Sequence, residues 1–134
     1  MIQTGRQRPL QAIPRRVVNG VLLLDKPPGI TSHGAVQVVR RLFNAAKAGH
    51  TGTLDPLATG LLPVCLGEAT KFSHTLLAAD KAYTATIRLG MMTNTGDIEG
   101  QVTARSEVRV KQQEIAPALQ KFMGEILQIP PMYS

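Results

Sequence analysis

The sequence predicts one domain of mixed α and β structure, and three observations lead to this class. The chain's 134 residues are enough for a single hydrophobic core. Its hydrophobic content of 43% is typical of a globular protein and not of a disordered chain. Apolar runs of strand length alternate with segments in which apolar residues recur at helical spacing. No apolar run approaches the roughly 20 residues that a membrane-spanning helix needs, so we expect no membrane segment.

The N-terminal part of the chain is predicted to hold two buried strands and two helices. In chain order these are a strand at residues 20–24, a helix that begins at Thr31 or Ser32, a strand at residues 61–66 and a short helix at residues 69–78. Pro27 cannot donate to a sheet and therefore ends the first strand. In the first helix Val36, Val39 and Phe43 fall on one face. Residues 44–60 form a long connection.

The C-terminal part of the chain contains a further strand pattern, a turn and a helix. Apolar side chains at every second position from Tyr83 to Leu89 predict a half-buried strand. The remaining predicted elements are turn residues at 93–100, one or two strands within 101–110 and a helix around residues 115–122. Gly124 ends this helix, and Pro117 must lie near its first turn or kink it.

Positive charge is concentrated at the N-terminus. Residues 1–50 hold eight Lys and Arg against one acid, a net charge of +7, whereas the rest of the chain is −1. We expect residues 1–19 to be a flexible basic arm and residues 20–134 to be the folded part. Such a distribution suits a polyanionic partner such as RNA, DNA or an acidic membrane surface, and a solvated basic face is the open alternative.

Several kinds of chemistry have no counterpart in this sequence. There is no phosphate-binding P-loop and no GxGxxG motif. The three histidines are far apart and Cys65 is the single cysteine, so we expect neither a zinc site nor an internal disulfide. Cys65 lies in an apolar run, which predicts an unreactive core thiol and fits a reducing, cytoplasmic compartment. Neither of the adjacent pairs Ser32-His33 and Ser73-His74 has the arrangement of a hydrolase nucleophile and its base.

The segment KAGHTGTLDPLATG at residues 47–60 is the remaining candidate site. A connection of this length between two strands is often functional, and its glycines allow tight turns or a close approach to a ligand. Asp55 precedes Pro56, whose ring holds it extended, so its carboxylate is aimed and not absorbed into a helix. An aspartate that only caps a turn or a helix is the alternative that the local sequence leaves open.

Ordered sequence blocks resemble the bacterial tRNA pseudouridine synthase B family. They are GVLLLDKPPGITS at residues 20–32, AGHTGTLDPLATG at 48–60, LGEATK at 66–71, DKAY at 80–83, LG at 89–90, the segment 93–100 and QIPPMYS at 128–134. A single GxLDP motif is weak, but ordered blocks from residue 20 to residue 134 are specific. The resemblance implies an α+β fold with a mixed, mainly antiparallel sheet and flanking helices, of which this chain carries an incomplete, N-terminal part of the catalytic domain.

The resemblance also implies an activity and a set of site residues. The family isomerises the uridine at position 55 of the tRNA T-loop to pseudouridine, using neither a metal nor an organic cofactor. It makes Asp55 the essential carboxylate, acting as a nucleophile or in proton removal on a flipped-out base. His50 corresponds to a histidine that contacts the displaced RNA, and Tyr83 offers a face on which the base can stack. Lys26, Lys71 and Asp97 are expected RNA-backbone or supporting residues, with solvated surface roles equally open for the lysines and a plain turn for Asp97.

The chain departs from the family pattern in two places. The family usually has aspartate where this chain has Asn94. Family members also continue past residue 134, with later strands that supply a further tyrosine and arginine and with a small RNA-binding domain. We therefore expect the 134 residues alone to be poorly stable or to associate, and to be weakly active or inactive.

Two classes of function remain open from the sequence. The first is a tRNA-modifying isomerase, or its catalytic-domain piece, that works in the cytoplasm with tRNA as partner and with no obligate protein partner. The second is an RNA-binding fragment that has lost the chemistry. Within the enzyme class, a guide-RNA-dependent relative shares the TLDP block, but PLATG at residues 56–60 and GEATK at 67–71 favour the stand-alone bacterial branch.

Overall fold

The computed structural model describes residues 14–127 and divides the chain into two units, Met1–Lys81 and Ala82–Ser134. The first unit contains a three-stranded antiparallel sheet in the order β1-β3-β2 and two α-helices. Its elements are β1 (Gly20–Lys26), α1 (Ser32–Leu42), β2 (Ala48–His50), β3 (Gly60–Leu66), a 3-10 helix (Gly67–Phe72) and α2 (Ser73–Leu77). The second unit contains the hairpin of β4 (Met91–Thr93) and β5 (Val102–Arg105), followed by α3 (Gln112–Gln120). The predicted mixed class with an antiparallel sheet is confirmed.

The hydrophobic core of the first unit lies between α1 and the central strand β3. Ala35, Val36 and Val39 of α1 are almost fully buried, as are Leu62 and Val64 of β3. Leu62, Val64 and Leu66 alternate along β3 and belong to the cluster that packs on α1, and Cys65, on the opposite face, is buried as well. The remaining buried apolar residues of this cluster are Ala45 and Leu54.

The helix α1 begins where the sequence predicted, and its last helical residue is Leu42. Thr31 is the N-cap, and its hydroxyl accepts a hydrogen bond from the Gly34 N–H at 3.0 Å. Val36 and Val39 are buried. Phe43, the third residue of that face, is the C-cap of the helix and is 42% exposed.

The short strand β2 was missed by the sequence analysis, which placed residues 44–60 in one long connection. It pairs with β3 only from Ala48 to His50, opposite Leu66 to Val64. The next residue of β3 is Pro63, whose carbonyl accepts a hydrogen bond from the Thr51 N–H at 3.3 Å. Because Pro63 has no N–H that could donate back to Thr51, the ladder between β2 and β3 stops there and the chain leaves the sheet.

The second unit differs most from the sequence predictions. Residues 83–89 form no regular strand, although their apolar alternation predicted one, because the pattern needs a pairing partner and no described segment pairs with them. The helix α3 ends at Gln120, before Phe122, and Pro117 lies inside it instead of in its first turn. None of residues 82–127 is buried.

The expected basic arm at residues 1–19 has its last part attached to the first unit. The Arg16 N–H donates to the Asn44 carbonyl at 2.7 Å, and the Ala46 N–H donates to the Arg16 carbonyl at 3.0 Å. The Asn44 side chain also donates to the Pro14 carbonyl at 3.0 Å. These bonds fix the backbone of residues 14–16, and residues 1–13 lie outside the described part of the chain.

Candidate active site

Asp55 lies in the loop of residues 51–59, here called the Asp55 loop, which connects β2 to β3. The side chain of Asp55 is exposed, whereas Thr51 and Leu54 of the same loop are buried. The Ala58 N–H donates to the Asp55 carbonyl at 3.0 Å, which closes a turn immediately after Asp55. The loop therefore buries its neighbouring residues and presents one carboxylate to solvent.

The residue before Asp55 is held by a buried hydroxyl of α1. The Oγ atom of Ser32 accepts a hydrogen bond from the Leu54 N–H at 2.8 Å and donates one to the Leu54 carbonyl at 2.9 Å. Ser32 is only 2% exposed. It is available for this role because Thr31, not Ser32, caps the helix. Both backbone polar groups of Leu54 are thus paired by one side chain from the helix.

The residue after Asp55 is held by the segment that follows β1. The Pro56 carbonyl accepts hydrogen bonds from the Gly29 N–H at 2.8 Å and from Lys26 Nζ at 3.3 Å. Gly29 has a φ of 81°, a left-handed conformation that favours glycine. The backbone is therefore anchored on both sides of Asp55.

Lys26 has a supporting position and does not reach solvent. Its side chain is fully buried, and its ammonium also donates to the carbonyls of Pro27 at 2.9 Å and Ile30 at 2.8 Å. Three carbonyl acceptors satisfy the three donors of an ammonium group, which offsets the cost of burying the charge. An RNA-backbone contact and a solvated surface role are both incompatible with this burial of Lys26, whereas support of the Asp55 loop agrees with it.

His50 is the last residue of β2 and immediately precedes the Asp55 loop. It is half-buried, and its Nδ1 atom is buried with no hydrogen-bond partner in the described part of the chain. A buried polar atom that is left unpaired is costly. The backbone of His50 is fixed by its pairing with Val64, immediately before the loop begins.

Tyr83 belongs to the second unit, where its side chain is 69% exposed. It is not the strand core residue that its alternating pattern suggested. An exposed aromatic ring of this kind has a free face for stacking.

Lys71 and Asp97, the other two expected supporting residues, form local contacts. The exposed Lys71 pairs with Glu68, and this pairing lowers the pKa of the Glu68 carboxyl. The Asp97 carboxylate accepts hydrogen bonds from the Thr95 hydroxyl and from the Glu99 and Gly100 N–H groups, at 2.7–3.0 Å. These bonds lower the pKa of Asp97, so its carboxylate stabilises its own turn.

Cys65 occupies the interior of β3 as a free thiol. It is completely buried, and burial raises the pKa of the thiol because the thiolate would lose its hydration. The thiol is therefore held in its unreactive form.

Among residues 14–127 no group of three or more His, Cys, Asp and Glu side chains is arranged to hold a metal ion. No helix in that range is both long and apolar enough to cross a membrane.

Comparison with known sequences gives several close relatives. The chain is 66% identical over 120 residues to a protein of Aromatoleum aromaticum named tRNA pseudouridine synthase B. It is 62% identical over 120 residues to the protein of that name from Methylobacillus flagellatus. These matches cover 90% of this chain but only 39% and 40% of the relatives, so the chain spans about two fifths of their length.

Comparison with solved structures gives similar folds among proteins of H/ACA ribonucleoproteins. One neighbour is an H/ACA ribonucleoprotein bound to a substrate RNA containing 2'-deoxyuridine, with a TM-score of 0.58 and 36% identity. It matches 84% of this chain and 30% of the neighbour. Another is the archaeal box H/ACA Nop10–Cbf5 complex, at 37% identity and the same TM-score, with 84% of this chain and 31% of the neighbour covered.

The family match covers most of the chain. Residues 40–134 match the model described as the TruB family pseudouridylate synthase N-terminal domain. This range includes the Asp55 loop, and its last block, at residues 128–134, lies outside the described residues. The family resemblance inferred from the ordered blocks is confirmed, and the chain belongs to the TruB family of pseudouridylate synthases.

Proposed function

We propose that this protein converts the uridine at position 55 of the tRNA T-loop to pseudouridine, with Asp55 as the essential carboxylate. Membership of the family and the names of its relatives support the reaction and the tRNA substrate. The observation that carries the assignment of Asp55 is its setting. It is an exposed carboxylate between two residues whose backbones are anchored by Ser32, Lys26 and Gly29.

The isomerisation requires a carboxylate in a fixed place. The bond between the ribose C1' and the uracil N1 is broken, the uracil is turned, and C1' bonds to C5, which loses its proton while N1 takes one up. A carboxylate can serve by attacking the nucleoside or by removing a proton from it, and either role needs an ionised group held near the sugar. Anchoring the backbone before and after Asp55 reduces the freedom that binding must otherwise remove. The exposed side chain then reaches the substrate without a rearrangement of the loop.

The base must leave its stack before Asp55 can act, at a cost of a few kcal/mol. We assign Tyr83 to the flipped base, because its exposed ring can supply about 1–3 kcal/mol by stacking. His50, at the entrance to the Asp55 loop, is assigned to the displaced part of the RNA. Lys71 and Asp97 have supporting roles, Lys71 toward the RNA backbone and Asp97 within its turn.

The stand-alone enzyme is favoured over a guide-RNA-dependent one by sequence identity. The relatives named tRNA pseudouridine synthase B are 62–66% identical in the two cases given above, whereas the H/ACA proteins are 36–37% identical. We therefore propose that no guide RNA and no protein partner are needed. Modification of a bare tRNA transcript by the purified protein tests this point.

A second candidate, an RNA-binding fragment without activity, is favoured by one observation. Residues 82–127, which include Tyr83, contain no buried side chain, so nothing within the described part of the second unit fixes the position of that ring. In the gene product, the same residues can form a working site if other residues pack against them. Activity of the 134 residues compared with that of the gene product distinguishes the two candidates.

The deciding experiment replaces Asp55 by Asn in the gene product and measures tritium release from uridine-labelled tRNA. We expect the rate to fall at least about 100-fold, the lower range for removal of a positioned acid–base group. The dissociation constant for tRNA should stay close to that of the wild type, because the side chain keeps its size. Glu125→Gln, which removes an exposed carboxylate of the second unit, is the charge-matched control and should be fully active. An active Asp55→Asn variant would refute the assignment.

A further inference from the structure

The structure brings the end of the basic arm and the end of α1 together around one open cleft. The cleft has a volume of about 260 Å³ and is lined by Arg15, Gln37, Arg40, Arg41 and Asn44. Three guanidinium groups and two amides thus line it, with no carboxylate among them. We call this the arginine cleft. In the sequence these arginines lie in two separate segments, the basic arm and the first helix.

The cleft is a built feature, because hydrogen bonds fix both of its walls. The backbone of Arg16 is bonded to Asn44 and Ala46, which fixes the origin of the neighbouring Arg15 side chain. Asn44 has a left-handed backbone, with a φ of 48°, that asparagine tolerates better than most residues. Arg40 donates to the carbonyls of Ala45 at 3.4 Å and Ala46 at 3.1 Å, so it holds the turn that follows α1.

The positive charge of the cleft has no internal counterion. The two ion pairs among residues 14–127 are Lys71–Glu68 and Arg109–Glu107, and neither involves the cleft. Arg15 and Arg41 are exposed, and Arg40 is half-buried. A guanidinium group carries its charge at all physiological pH values and matches the oxygens of a phosphate with a pair of parallel N–H donors. An anion in the cleft would relieve the mutual repulsion of the three groups.

We propose that the arginine cleft binds phosphodiester groups of the RNA substrate at a distance from the modified base. This proposal rests on the proposed function, since it takes RNA as the substrate. Ser32 at the start of α1 touches the Asp55 loop, and the helix rises about 1.5 Å per residue, so Arg41 lies about 13 Å farther along the axis. The cleft is therefore too far away to touch the reacting base and near enough to contact the same RNA molecule. Its contacts orient the RNA and carry no base specificity.

The test removes two cleft charges without disturbing the fold. The double variant Arg15→Gln/Arg41→Gln is chosen because both side chains are exposed, whereas Arg40 also bonds two carbonyls and is left in place. The control, Arg105→Gln/Lys121→Gln, removes the same charge from exposed positions of the second unit. Equal thermal midpoints for the three proteins establish that the comparison concerns binding.

Binding of unmodified tRNA to the gene product is measured by fluorescence anisotropy over a range of salt concentrations. Each phosphate contact contributes roughly 0.7–0.9 to the slope of log K against log salt, so the cleft variant should lose about 1–2 from that slope. Its affinity at low salt should fall about tenfold or more, while the control keeps nearly the wild-type slope. Equal losses in both double variants, or no loss in either, would overturn the proposal.

Titration with inorganic phosphate identifies the source of the anion. If the cleft variant binds tRNA like the wild type but loses binding of inorganic phosphate, the cleft holds a small free anion and the RNA proposal is wrong. Pseudouridine formation is assayed in parallel. Wild-type activity with an unchanged salt slope in the cleft variant refutes the cleft alone, whereas a wild-type protein that neither binds nor modifies tRNA refutes the proposed function.

Discussion

The residues on either side of Asp55 explain how an exposed side chain can have a defined position. Leu54 is bonded through both its N–H and its carbonyl to one hydroxyl, and Pro56 is bonded through its carbonyl to Gly29 and Lys26. A buried hydrogen bond contributes about 0.5–1.5 kcal/mol, but a buried group that loses its partner costs about 1–3 kcal/mol. Removing one partner of such an anchor therefore costs more stability than the hydrogen bond itself contributes.

The substitution Ser32→Ala tests the anchor before Asp55. It leaves the buried N–H and carbonyl of Leu54 without a partner, so we expect unfolding free energy to fall by about 1–3 kcal/mol in urea denaturation. We also expect kcat for pseudouridine formation to fall more than KM changes, because the carboxylate loses its fixed position while the RNA contacts remain.

Two further variants separate this effect from a general loss of stability. Ser32→Thr keeps the hydroxyl and should recover much of kcat, and Ser106→Ala, at an exposed serine of the second unit, should match the wild type in both measurements. A Ser32→Ala enzyme with wild-type kcat would show that the anchor does not position Asp55.

The anchors were beyond the reach of sequence reasoning, although Asp55 itself was not. The proline and glycines around Asp55 made it a candidate with a capping role left open, and the resemblance of the ordered blocks to a known family made it the preferred carboxylate. Ser32 lies 22 positions from Leu54, and Lys26 lies 30 positions from Pro56. No local pattern distinguishes a serine that caps a helix from one that binds a distant loop. Only the pairing of β1 with β3 brings these segments together.

At the scale of elements, the predictions succeeded for segments whose packing partner also shows an apolar pattern in the sequence. The helix α1 and the strand β3 were found because their apolar faces pack on each other. The strand β2 was missed because three residues are too few to show a period, and its limit is set by Pro63 on another strand. The strand expected at residues 83–89 failed for the opposite reason, since its pattern is clear but no described segment pairs with it.

The turn between β4 and β5 depends on two side chains, one of which departs from the family pattern. Asn94 stands where the family usually has aspartate, and its Oδ1 atom accepts a hydrogen bond from the Gln101 N–H at 2.8 Å. The amide thus performs the bonding that a carboxylate would, without the charge. The negative charges of this turn are those of Asp97 and Glu99, and only Asp97 bonds within it through its carboxylate.

This turn should loosen in acid through Asp97. Its hydrogen bonds lower the pKa of the carboxyl below the ordinary value of 3.8. A lowered pKa means that the stabilisation is present above the unfolded value and is lost as the pH falls through the folded value, that is, below 3.8. The amide protons of Glu99 and Gly100, followed by NMR, should shift over this range. Asp97→Asn keeps an acceptor oxygen and should abolish the titration step, so a step that persists in that variant would assign it to another group.

At the scale of the molecule, the two units differ in how much they bury. The first unit has a core formed by α1 and the sheet, including four side chains that are less than 2% exposed. The second unit has a hairpin and a helix whose described residues are all outside a core. Its exposed large apolar residues include Ile87, Ile98, Phe122, Met123 and Leu127, with Leu127 fully exposed. Exposed apolar surface of this extent is typical of surfaces that interact or associate.

The 134 residues on their own should therefore associate or be only marginally stable. We expect light scattering after size-exclusion chromatography to give a mass above the 14.4 kDa of one chain, or a fluorescent apolar dye to bind strongly at neutral pH. Ile87→Lys combined with Phe122→Lys should reduce both signals, because it places charges on that exposed surface. The matched control, Thr86→Lys with Gln120→Lys, adds the same charge at neighbouring polar positions and should leave the mass and the dye binding unchanged.

For the 134 residues alone we also expect weak or no tritium release from uridine-labelled tRNA. A monomer that binds no dye and turns over tRNA at the rate of the gene product would show that the first unit's core is sufficient and that the second unit needs no further partner.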